Sequence, residues 1–209
     1  SGLFPPTSTC LAKKHLTPSR YEALKGLTTD SGFSLDSAIA SGVAHADSSI
    51  GLYAGDAQTY DLFSPLFTAV INEYHHFSGQ SPHLSDLRPL NLDNPDPDRT
   101  FIRSTRIRVA RSLAGFSFPC HIRAQERIEV ETAAKRVFKS LPDPYSGRYI
   151  SSETSPGGRM SELIDQGILF RKGDRFQDAA GINRDFPLAR GVFHSNDQKF
   201  RVWVNEEDH

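Results

Sequence analysis

The sequence predicts an α+β fold, in which a small all-helical N-terminal domain precedes an antiparallel β-sheet with flanking helices. Up to about residue 85, apolar residues recur every three or four positions, which is the spacing of helices that bury one face. Beyond residue 98, short stretches alternate apolar and polar residues, which is the period of strands. The segment between them is rich in Pro, Asn and Asp. We therefore expect a helical domain over residues 1–85, a linker over 86–98 and an α/β domain over 99–209.

The composition limits the classes of partner. The chain has 24 basic and 25 acidic residues and a net charge of −1, so no overall field steers it to nucleic acid or to a membrane surface. No apolar run approaches the ~20 residues that span a bilayer, and the N-terminus lacks the features of a secretory signal. Two cysteines are too few for a disulfide scaffold, which indicates reduced thiols. We expect a cytoplasmic protein without nucleic-acid or membrane partners; mitochondrial import with a removed presequence is the alternative.

Local signals place the helices of the first part. Thr17–Pro18 supplies an N-cap and a proline suited to the first helical position. Ser34 caps a second helix, which Gly42 is expected to end. A third, strongly amphipathic helix contains Pro65, which predicts a kink. The predicted helices cover residues 18–25, 35–41 and 57–76, after an unstructured lead-in over residues 1–14.

The loop over residues 43–56 combines small residues with Gly51 and Gly55. Such a loop lets backbone N–H groups turn toward a ligand. The alternative is an ordinary connection between two helices. Composition by itself leaves both interpretations open.

A strand is predicted over Phe101–Val109, where two arginines lie side by side. Arg106 and Arg108 are two positions apart and therefore share one face of the strand. Adjacent guanidinium groups repel each other unless an anion lies between them, and a polyphosphate could accept bidentate hydrogen bonds from both. Pairing with carboxylates on a neighbouring strand is the alternative. The sequence has no Walker-type glycine loop, which excludes a P-loop.

The last predicted strand, Lys199–Val204, leads into Glu206, Glu207 and Asp208. Three successive carboxylates repel one another, so they suit a site that holds a cation such as a guanidinium or a metal ion. A solvated acidic loop is the alternative. No metal site is predicted at His75–His76, since adjacent helical residues point about 100° apart. The other predicted elements are a helix over residues 123–140, a strand near 149–150 and a hairpin strand from residue 190.

Two segments carry a family resemblance. Trp203–His209 and Ser104–Arg108 resemble the two signatures of the phosphagen (guanidino) kinases, and about a hundred residues separate them, as in that family. The resemblance runs from about Cys10 to the last residue, whereas the family's enzymes continue well beyond the position of His209. It implies that the α/β domain is the first part of a catalytic domain. We therefore expect the 209-residue chain to be inactive alone.

The resemblance implies reversible transfer of the γ-phosphoryl group of ATP, with Mg²⁺, to a guanidino substrate. Glu207 is then the catalytic carboxylate that grips the guanidinium. Asp47 is expected to pair with Arg175 when the domains close. The implied substrate-binding residues are Ser49, Ile50, Gly51, Leu52, Tyr53 and Glu207, and the implied nucleotide-binding residues are Ser104, Thr105, Arg106, Ile107 and Arg108. The loop is similar to the short form found in arginine kinases, in which a Tyr, here Tyr53, contacts the amino end of arginine.

One position departs from the family pattern. Gly167 stands where the family usually has a His that contacts the nucleotide. The expected partners are ATP or ADP and a guanidino amino acid, with arginine favoured over taurocyamine and creatine, in a monomer or a homodimer. The alternative for the whole protein is a catalytically inactive, kinase-like subunit bound to a scaffold.

Overall fold

The computed structural model describes residues 2–77, 86, 88, 93–154, 157–169 and 171–206. Within these ranges helices come first and a sheet follows, which confirms the α+β prediction. The helices are α1 (Leu11–His15), α2 (Pro18–Leu24), α3 (Leu35–Ala44), α4 (Gln58–Leu62), α5 (Ser64–Tyr74), α6 (Ala124–Lys139), α7 (Gly157–Asp165) and α8 (Arg175–Ala180). The strands are β1 (Gly147–Ser151), β2 (Gly191–Ser195) and β3 (Arg201–Val204). Among the described helices, none has the length and apolarity needed to cross a membrane.

Two helices begin where their capping residues predict. The Thr17 hydroxyl accepts a hydrogen bond from the N–H of Arg20 at the start of α2, and Ser34 accepts one from Ser37 at the start of α3. The predicted end of α3 at Gly42 is wrong, because the helix continues to Ala44. A Cβ on Gly42 would lie 2.8 Å from the carbonyl oxygen of Gly51, so this glycine permits close packing rather than a helix stop.

The predicted unstructured lead-in is also wrong. Phe4 is buried in the core, and α1 forms after Cys10, whose Sγ accepts a hydrogen bond from the N–H of Lys13. The Lys13 ammonium group donates to the carbonyl oxygens of Pro5, Pro6 and Ser8 at 2.8–2.9 Å. The prolines do prevent a helix over the first residues, but Lys13 fixes the turn that they make.

The single kinked helix predicted over residues 57–76 is two helices, α4 and α5. They are separated at Phe63, and Pro65 lies in the first turn of α5. A proline lacks the N–H that would continue the hydrogen bonds of the preceding helix, but it is well accommodated in a first turn. Pro65 therefore begins a new helix instead of bending one.

The largest core joins the helical part to segments from the second half of the chain. Phe33, Ile39 and Phe63 belong to the same cluster of buried side chains as Cys120 and Ile182. Helix α3 packs directly against α8. The two parts are therefore held in contact by apolar burial, which is the main stabilising contribution to such an interface.

The sheet is antiparallel with the order β1-β2-β3. One of its faces packs on α6, where the rings of Phe138 and Phe193 stack with centroids 4.4 Å apart. Val130 of α6 and Val204 of β3 complete this second, smaller core. The hairpin between β2 and β3 is the one that the sequence predicts.

The strand predicted over Phe101–Val109 does not form. The segment has no regular secondary structure and pairs with no strand in the described part of the chain, and Phe101, Ile107 and Val109 are 85%, 89% and 74% exposed. A strand requires a neighbour for its N–H and C=O groups and for its apolar face. The alternation of residues is correct for a strand, but no described strand lies beside it.

Five residues of the predicted linker over 86–98, namely 87 and 89–92, lie outside the described residues. Its end is anchored by Asp96, whose carboxylate accepts hydrogen bonds from the N–H groups of Thr100, Phe101 and Ile102 at 2.6–2.9 Å. These backbone hydrogen bonds, that of Ile102 first, hold the pKa of Asp96 below its usual value. The proposed domain limits at residues 85 and 98 stay a prediction.

Candidate active site

The predicted substrate loop, Asp47–Tyr53, is fixed by backbone hydrogen bonds to two helices. The N–H groups of Leu11 and Ala12, in the first turn of α1, donate to the carbonyl oxygens of Ser49 and Ile50 at 3.0 and 2.9 Å. The N–H of Tyr53 donates to the carbonyl oxygen of Ala38 in α3 at 2.9 Å. The loop therefore has a defined backbone, unlike an ordinary mobile helix connection.

Gly51 lies at the point of closest approach between this loop and the helices. Its φ of +69° is in the left-handed region, and a Cβ there would lie 2.9 Å from both Cys10 Sγ and Gly42 Cα. Only a glycine meets both conditions without strain. The pair Gly42 and Gly51 thus brings the loop directly onto α3.

Four backbone N–H groups of the loop remain without an acceptor. Within the described ranges, no hydrogen bond is made by the N–H groups of Ser49, Ile50, Gly51 and Leu52. The carbonyl groups of Ser49 and Ile50 are engaged by α1, so these two residues present their N–H groups as free donors. A run of such N–H groups is able to bind an anion such as a carboxylate.

An ion pair connects the loop to α8. The guanidinium of Arg175 donates to the Asp47 carboxylate, and both side chains are more than half exposed. His45 Nε2 lies 3.1 Å from the carbonyl oxygen of Arg175, and its ring contacts Phe176 edge-on. The structure therefore joins Asp47 to Arg175, as the family resemblance implies, and adds a histidine to the contact; a role of the pair in domain closure stays a prediction.

A cleft of about 450 Å³ lies where the two halves of the chain meet. Tyr53 from the loop, Gln177 from α8 and Ser112, which follows the Phe101–Val109 segment, line it. Cys120 lies on its wall and donates its Sγ–H to the carbonyl oxygen of Ala54 at 2.9 Å. Burial raises the pKa of the Cys120 thiol to about 12, so it is protonated at neutral pH and is not a nucleophile.

The end of β3 is fixed by Asn205. This residue has a φ of +58° and is fully buried, and its Nδ2 donates to the carbonyl oxygens of Arg127 and Ala189 at 2.9 and 2.8 Å. Asn tolerates the left-handed region better than most residues. The backbone that leads into Glu206 thus leaves the strand in one defined direction.

A cluster of buried arginines lies beneath this turn. Arg127 is fully buried, and its Nη2 donates to the carbonyl oxygens of Pro119 and Ile182 at 2.9 and 3.2 Å. Burial, and then the nearby guanidinium groups of Arg190 and Arg184, lower the pKa of Arg127 to about 10, so it stays charged at neutral pH.

Two carboxylates lie close to this cluster: Asp185, whose Oδ2 is 4.0 Å from Arg127 Nε, and Glu206 at the end of β3. Glu206 lines a small pocket with Arg190, and its charge raises the pKa of Arg190, against the larger lowering by burial. The first carboxylate of the acidic run therefore lies, with Asp185, in the electrostatic environment of the buried arginines.

Comparison with known proteins identifies the family to which this chain belongs. The N-terminal domain model of the ATP:guanido phosphotransferases matches residues 6–72, and their C-terminal catalytic domain model matches residues 129–209. The chain belongs to the phosphagen kinase family. It is 44% identical over 202 residues to an arginine kinase of Anthopleura japonica, and 40% identical over 203 residues to an arginine kinase of Callinectes bellicosus. Each match covers 95% of this chain.

The same relationship holds for solved structures. The substrate-free duplicated taurocyamine kinase from Schistosoma mansoni superimposes with a TM-score of 0.87 at 27% identity, over 98% of this chain and 30% of that one. The chain spans 28% of the length of the Anthopleura relative and 57% of that of the Callinectes relative.

The structure brings together some of the predicted phosphagen kinase residues and not others. Ser49, Ile50, Gly51, Leu52 and Tyr53 lie together in the fixed loop, and Asp47 meets Arg175. By contrast, Ser104, Thr105, Arg106, Ile107 and Arg108 lie in the exposed Phe101–Val109 segment. Glu207, the predicted catalytic carboxylate, lies outside the described residues.

Gly167 has room for a side chain. A Cβ there would meet no atom within 4 Å, but its φ is +67°, a conformation that L side chains rarely adopt. A histidine at this position therefore carries a backbone cost, while its Cβ meets no described atom.

The sequence analysis missed the buried residues that pack against the end of β3. Arg127 and Arg190 are read from sequence as ordinary helix and strand-flanking charges, and nothing local indicates that they are buried. Asn205 has a weak signal, because an Asn directly after a strand is a common turn residue. It donates its two hydrogen bonds to carbonyl groups that are 78 and 16 positions away in the sequence, and no local pattern reveals such contacts.

Proposed function

We propose that the protein containing this chain catalyses reversible transfer of the γ-phosphoryl group of MgATP to a guanidino nitrogen, with arginine as the substrate. Family membership and the names of its curated relatives support the reaction. The Asp47–Tyr53 loop supports the substrate class, since its N–H groups suit the carboxylate of an amino acid. In this proposal, the chain supplies the substrate loop and the first part of the catalytic sheet.

The observation that carries the proposal is the bridge between the loop and α8. Asp47 and Arg175 join the loop to α8, and both the loop and α8 contribute residues to the wall of the cleft, Tyr53 and Gln177. When such a bridge closes over bound substrates, it excludes water, which would otherwise accept the phosphoryl group. We propose that this pair stabilises the closed state.

Charge neutralisation and positioning account for the rest of the proposed mechanism. Glu207 would accept hydrogen bonds from the substrate guanidinium and orient the attacking nitrogen. Asn205 supports this role, since it fixes the turn two residues before Glu207. Arg106 and Arg108 would bind the nucleotide phosphates.

Substrate choice is tested by calorimetry on the full-length protein. Arginine should release heat in the presence of MgADP and nitrate, whereas creatine should release none. A protein that binds creatine and not arginine would contradict the assignment of substrate, while leaving the reaction class in place.

The catalytic assignment is tested by Glu207→Asp, which keeps the charge and withdraws it by about one methylene. We expect kcat of the full-length protein to fall by roughly a hundredfold with little change in MgATP affinity. The matched control is Glu129→Asp on the exposed face of α6, which should leave kcat unchanged. Equal kcat values for the two variants would favour the inactive, scaffold-bound alternative.

The nucleotide assignment is tested by Arg106→Ala, which removes a charge-assisted contact worth about 1.5–3 kcal/mol. MgATP affinity should fall roughly ten- to a hundredfold, while the control Arg136→Ala on α6 should not change it. The chain ending at His209 should show background activity only, and turnover by that chain would refute the proposed need for further residues.

The compartment, the oligomeric state and the domain limits stay predictions from composition and resemblance. Both cysteines are free in the structure, which is compatible with the reduced, cytoplasmic compartment proposed from their number.

A further inference from the structure

A pocket of about 180 Å³ opens on the sheet face that is turned away from α6, beside α7. Three of its lining residues are Arg148, His194 and Arg201. They form one row across the sheet, because Arg148 of β1 is directly opposite His194 of β2, which is directly opposite Arg201 of β3. Directly opposed residues point to the same face. None of the three is among the residues assigned to the active site above.

Two polar contacts fix the orientation of the central histidine ring. Arg148 Nε donates to His194 Nε2 at 3.2 Å, and His194 Nδ1 lies 3.0 Å from the carbonyl oxygen of Ser195. In this arrangement Nε2 accepts from the Arg148 guanidinium, and Nδ1 faces the carbonyl oxygen of Ser195. The row therefore consists of two guanidinium groups separated by an imidazole ring, and the ring orients the guanidinium of Arg148.

The positive charge of the row is not balanced locally. No carboxylate lines the pocket, and within the described ranges Arg148 and Arg201 make no ion pair. The nearest acidic residue of the hairpin, Asp197, accepts hydrogen bonds from the Ser195 hydroxyl and the Lys199 N–H. Gln166 and Gln198 add amide groups to the rim.

We propose that this pocket binds a phosphate group, either free phosphate or a phosphate monoester. The Cα atoms of Arg148 and Arg201 are separated by two strand spacings, about 10 Å. Two long side chains that approach from opposite sides can both reach an anion held above His194. Each guanidinium can donate two parallel hydrogen bonds to oxygens of one anion.

The arrangement favours phosphate over a carboxylate. A carboxylate presents two oxygens in one plane and is matched by a single guanidinium. A phosphate presents oxygens in several directions and carries more charge, so it can satisfy two opposed guanidinium groups and an amide at once. Arg148, His194 and Arg201 have no assigned role in the kinase reaction, although Gln166 and Ile168 of the pocket flank Gly167, the position of the family's nucleotide-contacting His.

Binding is measured on the 209-residue chain through the fluorescence of Trp203, which is its only tryptophan. The Trp203 indole donates to the carbonyl oxygen of Ile168, a residue that lines the pocket, so the probe is adjacent. Orthophosphate and glycerol phosphate are titrated separately at constant ionic strength, with sodium chloride as the reference. A saturable response to either supports the proposal, and their relative affinity identifies the source.

Arg148→Gln and Arg201→Gln should each weaken binding roughly tenfold or more, because each removes a charge-assisted donor. The matched control Arg136→Gln, on the exposed surface of α6, should leave the affinity unchanged. Both pocket arginines are at least partly exposed, so the variants should keep the wild-type unfolding midpoint.

A final variant separates this pocket from the proposed nucleotide segment. Arg106→Ala combined with Arg108→Ala should leave phosphate binding intact. The proposal is overturned if no saturable response exceeds that to chloride, or if the Arg148→Gln and Arg201→Gln variants bind as the wild type does. It is also overturned if binding is lost only when Arg106 and Arg108 are replaced.

Discussion

The loop Asp47–Tyr53 and the segment Ser104–Arg108 both carry predicted ligand-binding residues, but the described chain completes only the first. The loop is hydrogen-bonded to α1 and α3, and its Gly51 packs directly against Gly42 of α3. The segment has no regular secondary structure and is exposed over its whole length. Each has the residue pattern that its proposed role requires, so the pattern does not explain the difference.

The difference lies in where the partners of each segment are found. The loop binds to helices that begin within about forty residues of it, and those helices are complete. The segment has the alternation of a strand, which becomes ordered only beside another strand edge. Local partners let a short stretch fold by itself, whereas a strand depends on residues distant in sequence.

The largest expected difference between the two regions concerns their apolar residues. Ile39, beneath the loop on α3, is 2% exposed, whereas Ile107 is 89% exposed. Ile39→Ala should lower the free energy of unfolding by about 2–5 kcal/mol, and Ile107→Ala should change it by less than about 0.5 kcal/mol. Urea denaturation of both variants measures this directly. A substantial loss with Ile107→Ala would mean that the segment packs against the protein in solution.

The second prediction compares two glycines with positive φ. Gly51→Ala should cost about 2–4 kcal/mol of unfolding free energy, because it adds steric overlap with Cys10 and Gly42 to the backbone strain. Gly115→Ala, which follows the exposed segment, has φ +89° and meets nothing within 4 Å. It should cost only about 1–2 kcal/mol. Equal losses would show that the loop does not approach α3 as closely as described.

The third prediction concerns the pH dependence of stability near the loop. Since burial raises the pKa of Cys120 to about 12, the unfolded chain loses this thiol proton at a lower pH than the folded chain. The contribution to stability is therefore full below the ordinary thiol pKa and is lost as pH rises toward the folded value. Between about pH 9 and pH 10, the unfolding free energy should fall by up to about 1.4 kcal/mol more for the wild type than for Cys120→Ala. Parallel pH profiles for the two proteins would show that Cys120 is accessible to solvent.

The smallest effect is expected at the bridge between the loop and α8. Asp47 and Arg175 are 59% and 58% exposed, so solvent screens their attraction. A double-mutant cycle with Asp47→Asn and Arg175→Gln should give a coupling of about 0–1 kcal/mol in the absence of substrates, falling with added salt. The control cycle replaces Asp47→Asn by Asp30→Asn, for which no coupling is expected. A coupling well above this range would mean that the bridge already holds the free protein closed.

Much of the fold could be predicted because its signals are local. The caps Thr17 and Ser34, the amphipathic period of α6 and the hairpin before β3 depend on residues within a few positions of one another. The errors at Gly42, Pro65 and Phe101–Val109 share one cause. In each, the residue type was interpreted correctly for an isolated segment, but its neighbours in space determined its role.

The candidate site divides in the same way. Asp47 and Arg175, 128 positions apart, were paired only through the family resemblance, and the structure contains that ion pair. The buried arginines Arg127 and Arg190 and the row Arg148, His194 and Arg201 gave no signal. A charged residue is normally exposed, and a shared sheet face appears only once the register of the strands is known.

The sequence by itself determined the α+β class, the capped helices of the first half and the two signature segments, because composition, periodicity and short motifs depend on residues close along the chain. The tertiary structure alone decided which glycine packs and which one turns, and which arginines are buried beneath Asn205. It also decided that the loop is bound to α1 and α3 while the Ser104–Arg108 segment lies exposed. Burial and strand pairing are properties of contacts between distant residues, and only the folded chain brings those residues together.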